Sequence, residues 1–325
     1  RQDGLHRHHV RSLSVERAPR YRSRHLERGA LPRRGLSKVR YGLVAHRVHR
    51  QDADSALPAW ARDCGDRIRA LNLGLHAVGG TFDSLARHRL LQDHAPLVRL
   101  PSGVEGGVMR LASCIAGGLA PEHELDGVIY FMDPVDPSSL YPETLALKRQ
   151  CVIHGKPFVS TARGAAEWIA VECVHAGQGD AQALRQPLAT QTVALIAHDA
   201  LKQRMVEFAA SHFDLLSRFA SRVGTGTTGG LLNDLAWSRG WPAGQPWVTR
   251  YQSGPMGGDA QIAEPIRVRR CHKTIFFEDP HVARQHEADI QLLERAVCTA
   301  TLDTSCFNSP AMAERWAAAL ARAGH

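Results

Sequence analysis

The feature that most constrains the fold is a repeat. Tyr41 to His46 reads like Val193 to His198, and Ala77 to Thr81 reads like Gly224 to Thr228. Leu100 to Gly107 parallels Tyr251 to Gly258, and Val128 to Pro134 parallels Thr274 to Pro280. The offsets are 152, 147, 151 and 146 residues, all in one order. Four ordered echoes at nearly one spacing are the mark of a tandem duplication. We therefore expect a domain at 41–178, a linker at 179–190 and a second domain at 191–325.

Each copy alternates short β-rich apolar runs with helical spacing. In the second copy, strands are expected at 193–197, 219–223, 247–251, 273–278 and 300–305. Leu201, Met205, Phe208 and His212 fall at helical spacing between the first two. Such alternation predicts an α/β fold: two tandem three-layer α/β/α domains, each with a mainly parallel five-stranded sheet. Working residues in sheets of this kind sit at the carboxyl ends of strands. His198, Gly224 to Gly230, Ser253 to Asp259 and Asp279 all fall at such ends.

Charge is concentrated at one end. Residues 1–40 hold twelve Arg and Lys against three Asp and Glu, more than the whole net charge of +8, so the rest is nearly neutral. No specific nucleic-acid partner is expected from a folded part that is neutral. Residues 1–40 are read as a disordered basic tail. A functionless extension is the preferred reading, with non-specific anion binding second; the Arg-rich composition also fits a transit peptide. No apolar run approaches the roughly 20 residues of a membrane helix, so no membrane partner is expected. Seven scattered cysteines without a CxxC pair point to reduced structural thiols, a cytoplasmic setting and no metal site.

The second copy carries groups with chemistry. Gly224 to Gly230 offers backbone N–H groups and three hydroxyls opening a helix, which suits a phosphate cradle. It lacks the Gly-Lys-Ser/Thr of a Walker loop. Lys202, four residues after His198, can bring a cation to the same anion. Ser253 to Asp259 cannot be a strand or helix interior, because Pro255 and Met256 lie among glycines. Asp259 then stands near the N-terminus of a following helix, where a carboxylate is favoured. His286 and Asp289 stand at i and i+3. A carboxylate base, a neutral imidazole and a phosphate clamp suit proton abstraction beside a carbonyl in a small phosphate ester.

These motifs resemble those of methylglyoxal synthase across nearly all of the second copy. The family's His-Asp-x-x-Lys is His198, Asp199 and Lys202; its Thr-Gly-Thr-Thr-Gly loop is Thr225 to Gly229. Its Ser-Gly-Pro-x-Gly-Gly-Asp turn is Ser253 to Asp259, its Phe-Phe-x-Asp-Pro strand end is Phe276 to Pro280, and its later His-Asp-Pro-Asp is represented by His286 and Asp289. The resemblance implies conversion of dihydroxyacetone phosphate to methylglyoxal and inorganic phosphate, with no metal or organic cofactor. It implies that Asp259 removes a C3 proton, that His286 polarises the carbonyl, and that Asp279 and Asp289 support the site. His198 would contact the substrate, while Lys202, Thr225, Thr227, Thr228, Ser253 and Gly254 would hold the phosphate. It also implies a homo-oligomer, typically a hexamer, inhibited by phosphate.

The chain departs from the family at the long connection 237–247, at Pro265, at the basic run Arg267 to Lys273, and at Glu278 and Ala288. The first copy keeps His46 but has Arg50 for the lysine, Val108 for the base, Leu140 for the later histidine and a single hydroxyl in its glycine loop. It reads as catalytically silent. The alternative for the whole chain is a non-catalytic module that senses phosphate or a small ligand, as similar domains do in carbamoyl phosphate synthetase. Such a sensor has no use for both Asp259 and His286. A third reading, an IMP cyclohydrolase-like activity, fits the Ser253 to Asp259 turn less well.

Overall fold

The computed structural model describes residues 39–178, 181–281 and 287–324. The expected tail up to residue 38 and the candidate His286 lie outside the described residues. In chain order the first half contains β1 (Arg40–Ala45), α1 (Ala56–Ala70), β2 (Gly74–Ala77), α2 (Gly79–Arg87), β3 (Leu97–Arg99), α3 (Gly107–Ile115), β4 (Gly127–Phe131), α4 (Pro142–Ile153), β5 (Phe158–Val159) and α5 (Ala162–His175). The second half begins with β6 (Thr192–Ala197), α6 (Lys202–Ser211), α7 (Phe213–Ser217), β7 (Ser221–Gly224), α8 (Gly226–Ser238) and β8 (Thr249–Arg250). It closes with α9 (Gly258–Arg267), β9 (Lys273–Phe277), α10 (Glu287–Thr299), β10 (Ser305–Phe307) and α11 (Pro310–Arg322).

Two five-stranded sheets result, ordered β3-β2-β1-β4-β5 and β10-β9-β6-β7-β8. Read from the same edge the two orders are identical, and every strand pair is parallel. Central strands β1 and β6 are buried along five consecutive residues, as expected where helices cover both faces of a sheet. In β1 Leu43 faces Ile129 of β4, and in β6 Leu195 faces Ile275 of β9. The register repeats, so both sheets deliver their strand ends to matching places. The protein thus has two α/β/α halves of one topology, each a parallel five-stranded sheet with helices on both faces.

Several expected strands differ in extent. The run expected at 247–251 pairs only through Thr249 and Arg250, because Trp247 and Val248 turn inward into the core. The last strand lies at Ser305–Phe307 rather than 300–305. Ala300 closes the end of α10, and Asp303 and Thr304 both donate to its carbonyl, so the preceding residues form a turn. Pro265, unexpected in a helix, lies inside α9, and its carbonyl receives the N–H groups of Arg270 and Cys271 as the chain leaves. In the described part of the connection, Leu184 and Leu188 are buried.

One apolar cluster runs through both halves, joining Trp60, Phe131 and Trp168 to Phe208, Phe277 and Trp316. Two further clusters fill the opposite faces, one under α3 and α4, one under α9 and α10. Two buried acids of α5 tie the halves together. Glu167 receives Lys273 Nζ at 2.8 Å, the Trp316 indole at 2.7 Å and the Ser305 hydroxyl. Glu172 receives the Tyr41 hydroxyl and both arms of Arg315. Lys273, which closes the basic run Arg267 to Lys273, is 1% exposed. The seven cysteines are thiols rather than disulfides, and six of them are buried. Among the described residues, no helix is long and apolar enough to cross a membrane.

Candidate active site

The second sheet carries a cavity of about 560 Å³ at its strand ends. Eight of the candidate residues line it: His198, Lys202, Thr225, Thr227, Ser253, Gly254, Asp259 and Asp279. Four loops contribute, after β6, β7, β8 and β9, which is the convergence that parallel sheets produce. Thr228 does not line the cavity; it is buried in α8 with its hydroxyl 3.5 Å from that of Thr225. Asp289 lies in the first turn of α10, partly exposed, and is also absent from the lining.

The turn after β8 is shaped by its glycines. Gly257 has φ +91°, the left-handed region that residues with a Cβ avoid. Gly258 follows so close to Gln252 that a Cβ would stand 2.0 Å from its carbonyl oxygen. The chain therefore doubles back and starts α9 inside the molecule, where Asp259 is 3% exposed. As the second residue of α9 it stands in the first turn, at the positive end of the helix dipole. Loop and cradle are fastened together, since the Gly226 amide donates to the Gln252 carbonyl at 2.8 Å and Arg250 Nε donates to the Gly226 carbonyl at 3.0 Å. Thr225 precedes α8, so this helix begins at the cavity wall that Thr225 and Thr227 line.

His198 is fixed by backbone. Its own amide donates to the Phe277 carbonyl at 3.1 Å, and its Nδ1 accepts the Asp279 amide at 2.8 Å. A ring nitrogen that accepts from an amide carries no proton, so His198 is the neutral Nε2–H tautomer. The edge of Phe276 meets the ring at a centroid distance of 4.9 Å. Asp279 also accepts the His281 amide at 2.9 Å. Lys202, at the start of α6, pairs with Asp199.

The first half provides a comparison within the same molecule. Its His46 Nδ1 also accepts a strand-end amide, that of Asp133, at 2.8 Å. There Nε2 meets the Tyr130 hydroxyl at 2.9 Å, whereas Phe276 in the second half presents no hydroxyl. Burial lowers the His46 pKa against the pull of Asp136 and Asp133. Arg50 lays its guanidinium on Gly80, at the N-terminus of α2, and donates to that carbonyl. The single loop hydroxyl, Thr81, accepts the Ala45 amide at 2.9 Å. Val108 stands where the second half has Asp259 and lines a cavity of about 480 Å³.

Some of the local design is not visible as a motif. Arg222 lies on β7, buried between Trp241 and Trp247, and donates to the carbonyls of Trp247 and Phe219 at 2.7 Å. It anchors the long 237–247 connection below the cavity, and burial lowers its pKa. Arg99 and Arg250 occupy equivalent places just before the repeated turns, yet their uses differ: Arg99 pairs with Asp83, Arg250 braces α8.

Fold and cavity define an α/β protein of two like-ordered parallel sheets, with a strand-end pocket in the second that His198, Lys202, Asp259 and Asp279 line. No family model matches the chain. A methylglyoxal synthase from Brucella ovis is 43% identical over 103 residues, which span 32% of this chain and 76% of that protein. One from Thermus thermophilus is 39% identical over 108 residues, spanning 33% and 78%. A solved methylglyoxal synthase from Elizabethkingia anophelis NUHP1, 30% identical, covers 40% of this chain and 78% of its own with a TM-score of 0.32. The chain belongs to the methylglyoxal synthase family, with the matched relatives accounting for about a third of its length.

Proposed function

We propose that the second half is a methylglyoxal synthase acting on dihydroxyacetone phosphate, and that the first half is catalytically silent. The observation that carries this reading is the placement of Asp259. A buried carboxylate shares one cavity with Lys202, Thr225, Thr227 and the opening of α8, a base beside an anion cradle. The first half keeps the architecture and has Val108 at that place.

In the proposed reaction the phosphate of the substrate rests on Thr225, Thr227, Ser253, Gly254 and Lys202. Asp259 takes a proton from the hydroxymethyl carbon, and the electron pair passes into the carbonyl to give an enediolate. The Nε2–H of His198, held by the Asp279 amide, donates toward the substrate oxygens, which is worth most in a site that excludes water. Asp259 returns its proton to the carbonyl-derived oxygen to give the enediol; the proton of the other hydroxyl passes to the departing phosphate, its electrons form the aldehyde, and the C–O bond to phosphate breaks. The products are inorganic phosphate and the enol of methylglyoxal, which becomes the ketone by taking a proton on carbon and giving up its hydroxyl proton. Donors aimed at the phosphate favour this step because charge gathers on the leaving group. The role given to His286 belongs to the same proposal.

The test is to incubate the protein with dihydroxyacetone phosphate and measure both products. Equal amounts of phosphate and methylglyoxal support the assignment. Saturable phosphate binding without turnover would instead favour the ligand-sensing module.

A further inference from the structure

The first half brings no group to the proposed chemistry, yet α4 touches the strand end that carries Asp279. Lys148 Nζ lies 2.9 Å from Glu278 and 3.0 Å from Glu294, with 16% of its side chain exposed. On the next residue, Arg149 Nε donates to the Pro280 carbonyl at 2.8 Å. Two consecutive first-half side chains thus hold the residues on either side of Asp279. The Asp279 amide in turn fixes the His198 ring.

The repeat shows that this hold is one-sided. In the strand register that aligns Asp133 with Asp279, Lys148 corresponds to Glu294 and Glu278 to Met132. A thioether cannot form an ion pair, so the reciprocal clamp on the first half's strand end cannot exist. The ion pair is kept on the side with the intact cavity and lost on the side with Val108. Burial works against the ammonium, but the two carboxylates hold its pKa well above the usual lysine range. Without that ammonium, two largely buried carboxylates would face each other with nothing between them, and Glu278 would have to move or take a proton.

We propose that Lys148 and Arg149 are positioning residues for the second-half site, holding Glu278, Asp279 and Pro280 so that the Asp279 amide keeps His198 as the Nε2–H tautomer. The catalytic consequence rests on the function proposed above; the positional claim does not. The silent half then serves as a built-in neighbour that completes the site's rigidity.

The experiment compares the full chain with Lys148→Met, Lys148→Arg and Arg149→Ala. Amide exchange of residues 276–281 and the imidazole nitrogen shifts of His198 are read without substrate. In Lys148→Met, exchange of this segment rises about tenfold or more while that of α8 is unchanged, as expected when a local unit loosens. The His198 shifts lose their single-tautomer pattern. Lys148→Arg restores both. With substrate, kcat falls by about ten- to a hundredfold in Lys148→Met with KM within about twofold, because the phosphate cradle is untouched. Unchanged exchange and an unchanged tautomer in folded Lys148→Met overturn the proposal. Should Lys148→Met not fold, Arg149→Ala decides: faster exchange at 279–281 supports the clamp, and unchanged exchange overturns it. A wild type without turnover sinks the proposed function and leaves the exchange readouts to judge the clamp.

Discussion

The backbone amide of Asp279 donates to Nδ1 of His198 over 2.8 Å, joining the ends of β9 and β6 by a bond that sets the imidazole's tautomer. The contact recurs between Asp133 and His46. What differs is the residue behind the ring, Phe276 in one half and Tyr130 in the other. A hydroxyl at that position engages Nε2, as it does for His46.

Phe276→Tyr should therefore put a competing hydroxyl beside His198. Phosphate release should fall by about ten- to a hundredfold while thermal stability stays close to wild type, since the change removes one donor from the reaction and leaves the ring in place. Steady-state kinetics together with a melting curve check this. Full activity in a folded Phe276→Tyr protein would mean that His198 Nε2 takes no part in turnover.

The interlock through Glu167 should dominate stability. Burial raises its pKa, but Lys273, Ser305 and Trp316 outweigh burial and hold it below the usual carboxylate value. Removing the carboxylate strands the Lys273 ammonium in the core, so Glu167→Gln should cost about 3–5 kcal/mol at neutral pH. The sign of the pH effect follows from the lowered pKa. The pair's contribution is complete above the unfolded carboxylate pKa of about 4.3 and is lost as pH falls through the lower folded value. Urea titrations of both proteins between neutral and acid pH should show the gap narrowing on the acid side. A constant gap would contradict the ion-pair account.

Restoring a carboxylate to the first half should not restore chemistry there. In a chain whose Asp259 is replaced by Asn, Val108→Asp should leave phosphate release at background. Its cradle is blocked by Arg50 on Gly80, and its one hydroxyl is already engaged by the Ala45 amide. The substitution should also cost about 1–3 kcal/mol of stability, because it buries a polar group at a site 7% exposed. Recovery of activity would show that the first cavity binds substrate.

Much of this molecule was legible in its sequence because a duplication prints every constraint twice. Strand ends, the glycine loops and the placement of Asp259, Ser253 and Thr225 could be read from the repeat. Less legible was anything that depends on one half meeting the other. Lys273 reads in the sequence only as the end of a basic run, because its partner Glu167 lies 106 residues away. Lys148 and Arg149 lie in α4 of the degenerate copy, where no motif marks them. Thr228 counted as a ligand by its hydroxyl, but helical periodicity turns it inward. The misplaced final strand has a local cause: the threonines before Ser305 have strand propensity, and the closing turn of α10 overrides it.

The central claim is that Asp259 is the base of a phosphate elimination. It is tested most directly by the rate of phosphate and methylglyoxal formation from dihydroxyacetone phosphate in wild type and in Asp259→Asn. The account predicts equimolar products from wild type and a fall of about a thousandfold or more in the variant, with the fold retained. Equal rates in the two proteins, or no phosphate release by wild type above the Asp259→Asn background, would contradict it.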